Sequence, residues 1–187
     1  MNDLMRRLLW LPDQASTFAP SVDHLHYFVI TVTMLASVAT GLLAFGFLFI
    51  YRERKPNQST PVIEPSVRFE LGVIGVPLFF FLVWFVQGYG DYVWYTTPPA
   101  NTTDIYVMGK KWMWKFAYPD GPNSVGVLRV PVGRPVKLLL TSRDVIHSFF
   151  IPAFRLKKDV VPGRYSEMWF TATVPGSYDL SCSEYCG

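Results

Sequence analysis

The sequence predicts a membrane-anchored α+β protein, in which a two-helix transmembrane hairpin is followed by a small β-sandwich. Half of the 187 residues are apolar and only 17% are charged, below the roughly 25% usual for soluble domains. Two long uncharged stretches lie in the first half of the chain, and short apolar runs separated by Pro and Gly fill the second half. This composition excludes a disordered chain and argues against a fully soluble protein.

The two uncharged stretches are long enough to cross a bilayer. The first, 27–51, holds 25 residues, which at about 1.5 Å per residue exceeds a hydrocarbon core of about 30 Å. The second, about 71–92, contains Pro77, where we expect a kink, and leads into the aromatic pair Trp94 and Tyr95. The alternative, two buried core helices, would need a larger soluble shell than the remaining residues supply. We therefore expect two transmembrane helices.

The connector between these helices carries four basic and three acidic residues from Arg52 to Glu70. The positive-inside rule places it in the cytoplasm, so that both flanking segments face the other side. The stretch Met1–Pro20 lacks the apolar core of a cleaved signal peptide. We expect residues 1–95 to comprise a short N-terminal segment and the two helices, and residues 96–187 to form the β domain.

Seven short runs with β-type composition follow Asp91, which suggests a sandwich or a small barrel. They read DIYVMG, KWMWKFAYPDG, VGVLRVPVG, RPVKLLLTS, HSFFIP, YSEMWFTATVPG and SYDLSC. Alternation along these runs predicts which side chains face the core. The positions predicted to face inward are Val136, Leu138, Leu140, Met168, Phe170, Tyr178, Leu180 and Cys182.

Charge does not point to a nucleic-acid partner. The 17 basic and 14 acidic residues give a net charge of +3, and they are spread along the chain without a basic run or stripe. We therefore exclude nucleic acid as a partner.

The two cysteines are Cys182 and Cys186, four positions apart just after the last predicted strand. Thiolates are soft ligands suited to Cu(I), and a loop that closes a sandwich is held rigidly. A local disulfide is the alternative, since an exported domain meets an oxidising compartment. His147 lies at the junction of two predicted strands and adds an imidazole, although a lone His among apolar residues is more often a core residue. The combination favours a metal site.

Three motifs, DVIHSFFIP, RLKKDVVPGR and SCSEYCG, occur in this order behind the two helices. Together they resemble subunit II of cytochrome c oxidase, and the resemblance covers nearly the whole chain. It implies a cupredoxin-like sandwich on the periplasmic side of a bacterial inner membrane. It also implies a binuclear copper centre, CuA, which accepts electrons from cytochrome c and passes them to haem in subunit I, where oxygen reduction is coupled to proton pumping.

The resemblance implies a set of copper ligands. These are His147, Cys182, Cys186 and the backbone carbonyl of Glu184, whose side chain would approach a magnesium ion at the contact with subunit I. Two bridging thiolates can share one electron between two coppers, whereas one Cys would give a mononuclear site.

The chain departs from the family pattern at its end. The family continues past Cys-Gly to a second His and then a Met, but this sequence stops at Gly187. The other histidines, His24 and His26, precede the first helix and are not assumed to substitute. We expect the given sequence to stop short of those two ligands, which would also hide any fused cytochrome c domain; the alternative is an incomplete site.

Two further residues receive roles from the resemblance. Trp112 matches the aromatic strand through which electrons reach the copper domain, with packing in the sandwich core as the alternative. Trp114 is expected to pack in the core. Glu70 lies seven residues before Pro77 and matches the entrance of a proton pathway, although Val73 replaces the family's Trp. The alternative for Glu70 is a helix cap.

The other charged residues indicate how an electron donor would dock. Asp144 is expected near a docking surface, but the net positive charge argues against a strongly acidic patch. We therefore expect a less basic donor, or docking through apolar contacts around Trp112. The expected partners are subunit I, other oxidase subunits, a cytochrome c or an attached cytochrome domain, and membrane lipid.

Two rival functions fit parts of the sequence. A membrane-tethered copper carrier would need only two Cys and a His, and would hold exchangeable Cu(I). A copper-free subunit of a quinol oxidase would lack the copper ligands, and the presence of Cys182, Cys186 and His147 speaks against it.

Overall fold

The computed structural model describes residues 2–55, 58–59 and 62–186. They form two compact units. One comprises Leu25–Tyr89, and the other combines Met1–His24 with Gly90–Gly187. The sequence predicted one boundary near residue 95, whereas the second unit unites two segments that are far apart in the chain.

The helices are α1 (Asn2–Leu8), α2 (Ala19–Ile50) and α3 (Val67–Thr96). The helix α2 begins upstream of the uncharged stretch because the Ser16 hydroxyl accepts hydrogen bonds from the backbone N–H groups of Phe18 and Ala19. The helix α3 begins after Ser66, whose hydroxyl accepts the N–H of Phe69 and so acts as an N-cap. Pro77 lies inside α3, which continues past it.

Both α2 and α3 are long and apolar enough to cross a membrane, with mean hydropathy of 2.1 and 2.2 over their most apolar windows. Within those windows no described residue is buried. Large apolar side chains such as Leu42, Leu48 and Phe85 are exposed along the helices. Helices of a soluble core would bury such side chains, so the exposure favours a lipid environment.

The β domain is a two-sheet sandwich. Its strands are β1 (Thr103–Lys110), β2 (Met113–Ala117), β3 (Ser124–Val125), β4 (Pro135–Ser142), β5 (His147–Ile151), β6 (Leu156–Val160), β7 (Ser166–Thr171) and β8 (Ser181–Cys182). One sheet has the order β3-β2-β1-β4-β7 and the other β6-β5-β8. The pair β1–β4 is parallel, and the other strand pairs are antiparallel.

The predicted alternation is confirmed in the core. Leu138, Leu140 and Phe170 are fully buried, and they pack in one cluster with residues of the second sheet such as Phe149 and Val160. The residues Tyr178, Leu180 and Cys182 are half-buried and pack against the same cluster. The two faces therefore meet in a single apolar core.

Three predicted elements differ from the structure, and one of them is the run SYDLSC, which forms a strand only at Ser181–Cys182. The run VGVLRVPVG forms a strand only over Ser124–Val125, and the rest is irregular apart from an isolated bridge at Val132. Conversely, β6 was not predicted, because Lys157, Lys158 and Asp159 separate its two buried ends. Its pairing with β5 makes it a strand.

The N-terminal segment was expected to be a short lead into the first helix, but it is part of the sandwich unit. We call residues 12–23 the N-terminal clasp. Ser16 forms an isolated antiparallel bridge with Ala172, and Thr17 donates its backbone N–H to the carbonyl of Thr171 at 3.1 Å. Asp23 forms a buried ion pair with Arg155. The clasp thus extends one edge of the β domain.

Candidate metal centre

The residues His147, Cys182 and Cys186 converge at one end of the sandwich. One donor atom from each, the imidazole nitrogen and the two sulfurs, lies within 4.8 Å of the others. His147 begins β5 and is only 2% exposed, while Cys182 ends β8, which pairs with β5 so that Cys182 opposes Phe149. Strand pairing therefore brings together residues that are 35 positions apart in the sequence.

Backbone hydrogen bonds hold the loop that carries the cysteines. The N–H of Ser148 donates to Sγ of Cys182 at 3.3 Å, and the N–H of Ser183 donates to the carbonyl of Ser148 at 3.1 Å. The carbonyl oxygen of Glu184 lies 3.4 Å from the same sulfur, and its side chain is exposed. The backbone carbonyl of Glu184, which the family resemblance implied as a ligand, thus lies beside the cluster.

A hydrogen bond to Asp144 holds the imidazole ring of His147 in place. The Nε2–H of His147 donates to Oδ1 of Asp144 at 2.7 Å, which leaves Nδ1 as the nitrogen with a lone pair for a ligand. Asp144 also accepts the N–H groups of Lys111 and Val145, both at 2.8 Å. The Lys111 N–H, followed by His147, holds the pKa of Asp144 well below its usual range. This hydrogen bond was not predicted from the sequence, although the three-residue spacing between Asp144 and His147 could have suggested it.

The thiols are free and close together. Burial raises the pKa of the Cys186 thiol, and the neighbouring Cys182 raises it further. A bound cation removes this penalty, because it stabilises the thiolate form. Two sulfurs, one imidazole and a nearby carbonyl suit a soft or borderline ion such as copper, and they do not suit magnesium.

The two tryptophans behave differently. Trp114 is buried, as predicted, and its ring meets those of His147 and Phe149 edge to face at centroid distances of 5.8 and 5.2 Å. Trp112 precedes β2 and is 78% exposed. It directly follows Lys111, whose N–H binds Asp144. Its role in electron transfer stays a prediction.

Glu70 belongs to the other unit. It lies in the first turn of α3, its side chain is exposed, and its N–H donates to the carbonyl of Ser66 at 3.1 Å. This position agrees with the expected start of the second helix. Its role in proton uptake stays a prediction.

Comparison with known proteins identifies close relatives. The family model for the periplasmic domain of cytochrome c oxidase subunit II matches residues 123–187. An alternative cytochrome c oxidase subunit 2 of Bradyrhizobium diazoefficiens is 34% identical over 131 residues, which are 52% of this chain and 47% of the relative. A cytochrome c oxidase subunit 2 of Synechocystis is 45% identical over 88 residues, or 47% of this chain and 26% of the relative.

A solved structure also matches. It is the crystal structure of the periplasmic domain of subunit II of cytochrome oxidase of Bradyrhizobium japonicum, with 36% sequence identity and a TM-score of 0.45. The match covers 49% of this chain and 78% of that chain. The present chain spans less than half of the length of the two curated relatives above. The sequence matches show that residues 123–187 belong to the family of periplasmic domains of cytochrome c oxidase subunit II.

Proposed function

We propose that this chain is the electron-input subunit of a cytochrome c oxidase and holds a binuclear copper centre, CuA. His147, Cys182, Cys186 and the carbonyl of Glu184 would bind the copper. The observation that carries the proposal is the convergence of the imidazole and the two thiols within 4.8 Å. When bound, such a copper pair supplies a one-electron redox site whose charge is shared through two thiolates.

The chain's own residues keep the donor atoms in place. Pairing between β5 and β8 fixes the distance between the His147 and Cys182 backbones, and Asp144 holds the imidazole through Nε2. The almost complete burial of His147 limits access of water. A donor set that moves little when charge changes suits electron transfer, because little of the surroundings must rearrange.

Electrons would reach the site at Trp112. Its indole is exposed, and the half-exposed Met113 lies beside it, so this turn offers apolar contact area to a cytochrome c or an attached cytochrome domain. The sequence from Asp91 onward carries 11 basic and 8 acidic residues, which argues against attraction of a strongly basic donor.

Apolar docking predicts a weak salt dependence. Raising the ionic strength from about 50 to about 200 mM should change the donor oxidation rate by less than about twofold, because screening acts mainly on exposed charges. Stopped-flow measurement of donor oxidation at several salt concentrations tests this. A steep fall in the rate with added salt would contradict apolar docking and indicate charge steering.

The similarity to cytochrome c oxidase subunit II also supports a partner subunit, a location and roles for two further residues. Electrons would pass to haem in subunit I, and the chain would lie in a bacterial inner membrane with the sandwich on the periplasmic side. Glu70 would stand at the entrance of a proton pathway, and the Glu184 side chain would approach a magnesium ion at the contact with subunit I. The two apolar helices support the membrane location.

Copper content and electron paramagnetic resonance of the purified oxidase test the central proposal. The expected result is a signal from one unpaired electron shared by two coppers, which His147→Ala and Cys182→Ser abolish. The variant His26→Ala, which alters a histidine outside the cluster, should keep the signal. A single, readily exchanged Cu(I) would instead support a copper carrier, and a purified complex without copper at this subunit would support the quinol-oxidase alternative.

A further inference from the structure

The imidazole of His147 rests against a glycine in the neighbouring sheet. We infer that Gly109 and Trp114 are positioning residues that set the orientation of the His147 ring at the copper centre, an inference that rests on the function proposed above. Together they form what we call the histidine seat, made of Gly109 below the ring and the edge of the Trp114 indole beside it.

The structure leaves no space for a side chain at Gly109. Gly109 is buried in β1, and a methyl group at this position would lie 2.9 Å from Cδ2 and 3.2 Å from Cγ of His147. It would also lie 3.1 Å from Cζ3 of Trp114. Carbon atoms in contact prefer separations of about 3.5–4.0 Å, so any side chain here would collide with both rings.

The backbone of Gly109 cannot retreat from these contacts. β1 lies inside the five-stranded sheet, where Gly109 opposes Trp114 on β2 and Ser142 on β4. The carbonyl of Gly109 also accepts the N–H of Arg143 at 3.0 Å. A shift of the strand would therefore break hydrogen bonds on both of its sides.

The ring of His147 is held on its other edges as well. Nε2–H is bound to Asp144 at 2.7 Å, and the Trp114 ring stands edge to face against the imidazole. A methyl group at position 109 would therefore tilt the ring, and the tilt would displace Nδ1 relative to the two sulfurs. The absence of a side chain at Gly109 thus sets the direction from which His147 meets the metal.

The experiment compares copper binding by the full chain in detergent with that of Gly109→Ala. Cu(I) affinity is measured by competition with a chromogenic chelator, and the geometry of the copper site by electron paramagnetic resonance after loading with copper and oxidation. Thermal unfolding of the metal-free protein is followed in parallel. We expect Gly109→Ala to lower the Cu(I) affinity at least tenfold and to alter the spectrum. The control Gly121→Ala, where a methyl group would meet only ordinary contacts, should change neither.

Two further variants separate the seat from general packing. Trp114→Phe should alter the spectrum, because it removes the indole edge from the imidazole. In Gly109→Ala/Trp114→Phe the contact with Cζ3 of Trp114 is removed but the clash with His147 stays, so the copper affinity should stay low. Recovery of the copper affinity in this double variant would overturn the inference.

Other results would overturn either the role of the histidine seat or the proposed function. Copper affinity and spectrum unchanged in Gly109→Ala would overturn the seat while leaving the proposed function intact. If Gly109→Ala does not fold, an unchanged spectrum in folded Trp114→Phe would overturn it. Failure of the unmodified protein to bind copper would instead overturn the proposed function itself.

Discussion

Asp144 joins two parts of the sandwich that are separate in the sequence. One carboxylate oxygen accepts from the ring of His147 and from the N–H of Val145, and the other accepts from Lys111 in the turn before Trp112. The expected metal ligand and the exposed tryptophan are therefore connected through one side chain. Because this carboxylate accepts hydrogen bonds from three N–H groups, it holds the surrounding structure in place in addition to carrying a charge.

Removal of this acceptor should weaken copper binding at the proposed site. Asp144→Ala frees Nε2–H and allows the imidazole to change tautomer and to rotate, so we expect Cu(I) affinity to fall by about 10–100-fold. Chelator competition on the full chain measures the change. Asp120→Ala, which removes an exposed carboxylate from a turn elsewhere in the domain, is the matched control. Unchanged affinity in folded Asp144→Ala would show that the hydrogen bond does not position the ligand.

Substitution of Trp112 should slow electron transfer without loss of metal. Trp112→Leu keeps an apolar side chain but removes the indole, which offers stacking area and an electronic bridge. We expect oxidation of cytochrome c by the intact oxidase to fall at least tenfold at unchanged copper content, as measured by stopped-flow absorption. Tyr106→Leu removes another exposed aromatic ring from the β domain and should leave the rate near normal. A normal rate in Trp112→Leu would remove Trp112 from the electron path.

At the scale of elements, strand pairing determines which runs become strands where composition alone does not. The run VGVLRVPVG is apolar enough to form a strand, but Pro131 lacks an N–H for the ladder, and Gly126 and Gly133 adopt positive φ angles of 75°. Most of that run is therefore irregular, although Leu128 and Val130 still cover the core. In β6 the reverse holds, because three polar residues mask a strand that pairs along its whole length with β5.

The start of α3 supplies a prediction about proton uptake. Glu70 lies in the first helical turn, where the helix dipole favours the carboxylate form. If Glu70 supplies protons to subunit I, Glu70→Gln should slow steady-state oxygen reduction several-fold while electron transfer into the copper centre stays normal. Oxygen-electrode and stopped-flow assays of the same preparation separate the two steps. Glu64→Gln, an exposed carboxylate just before the helix, is the control, and equal rates in both variants would leave Glu70 with a structural role.

At the scale of the whole molecule, the N-terminal clasp makes the sandwich unit discontinuous in sequence. Asp23 and Arg155 are both almost fully buried, and the guanidinium makes two hydrogen bonds to the carboxylate, at 2.7 and 3.0 Å. Gln14 donates to the same carboxylate at 2.7 Å, and Arg155 also donates to the carbonyl of Pro12. Every charge brought into the interior here has a partner.

Breaking this pair should destabilise the unit strongly. Asp23→Ala leaves the Arg155 guanidinium buried without its counter-charge, and we expect the free energy of unfolding to fall by about 3–5 kcal/mol. Denaturant unfolding of the full chain in detergent, followed by tryptophan fluorescence, measures this loss. Asp23→Leu/Arg155→Met replaces both charges with apolar groups and should recover most of it. A loss below about 1 kcal/mol in Asp23→Ala would show that the clasp is not needed for a stable domain.

The residues of the candidate site could be predicted from the sequence more completely than the residues that surround them. Residue type, spacing and family resemblance together indicated His147, Cys182 and Cys186, and their convergence follows once β5 and β8 pair. The histidine seat and the clasp could not be predicted in the same way, because Gly109 and Asp23 acquire their partners only when distant segments fold together. Local patterns report which face of a strand is buried, but they do not report which side chain lies against it.

The bridge between Ser16 and Ala172 also constrains how the chain is threaded through a bilayer. Two backbones that exchange hydrogen bonds must occupy the same aqueous compartment, so the number of membrane crossings between them is even. If one of the two long helices spans, the other must span as well. The Ser16–Ala172 bridge can then form only after the second crossing has been made.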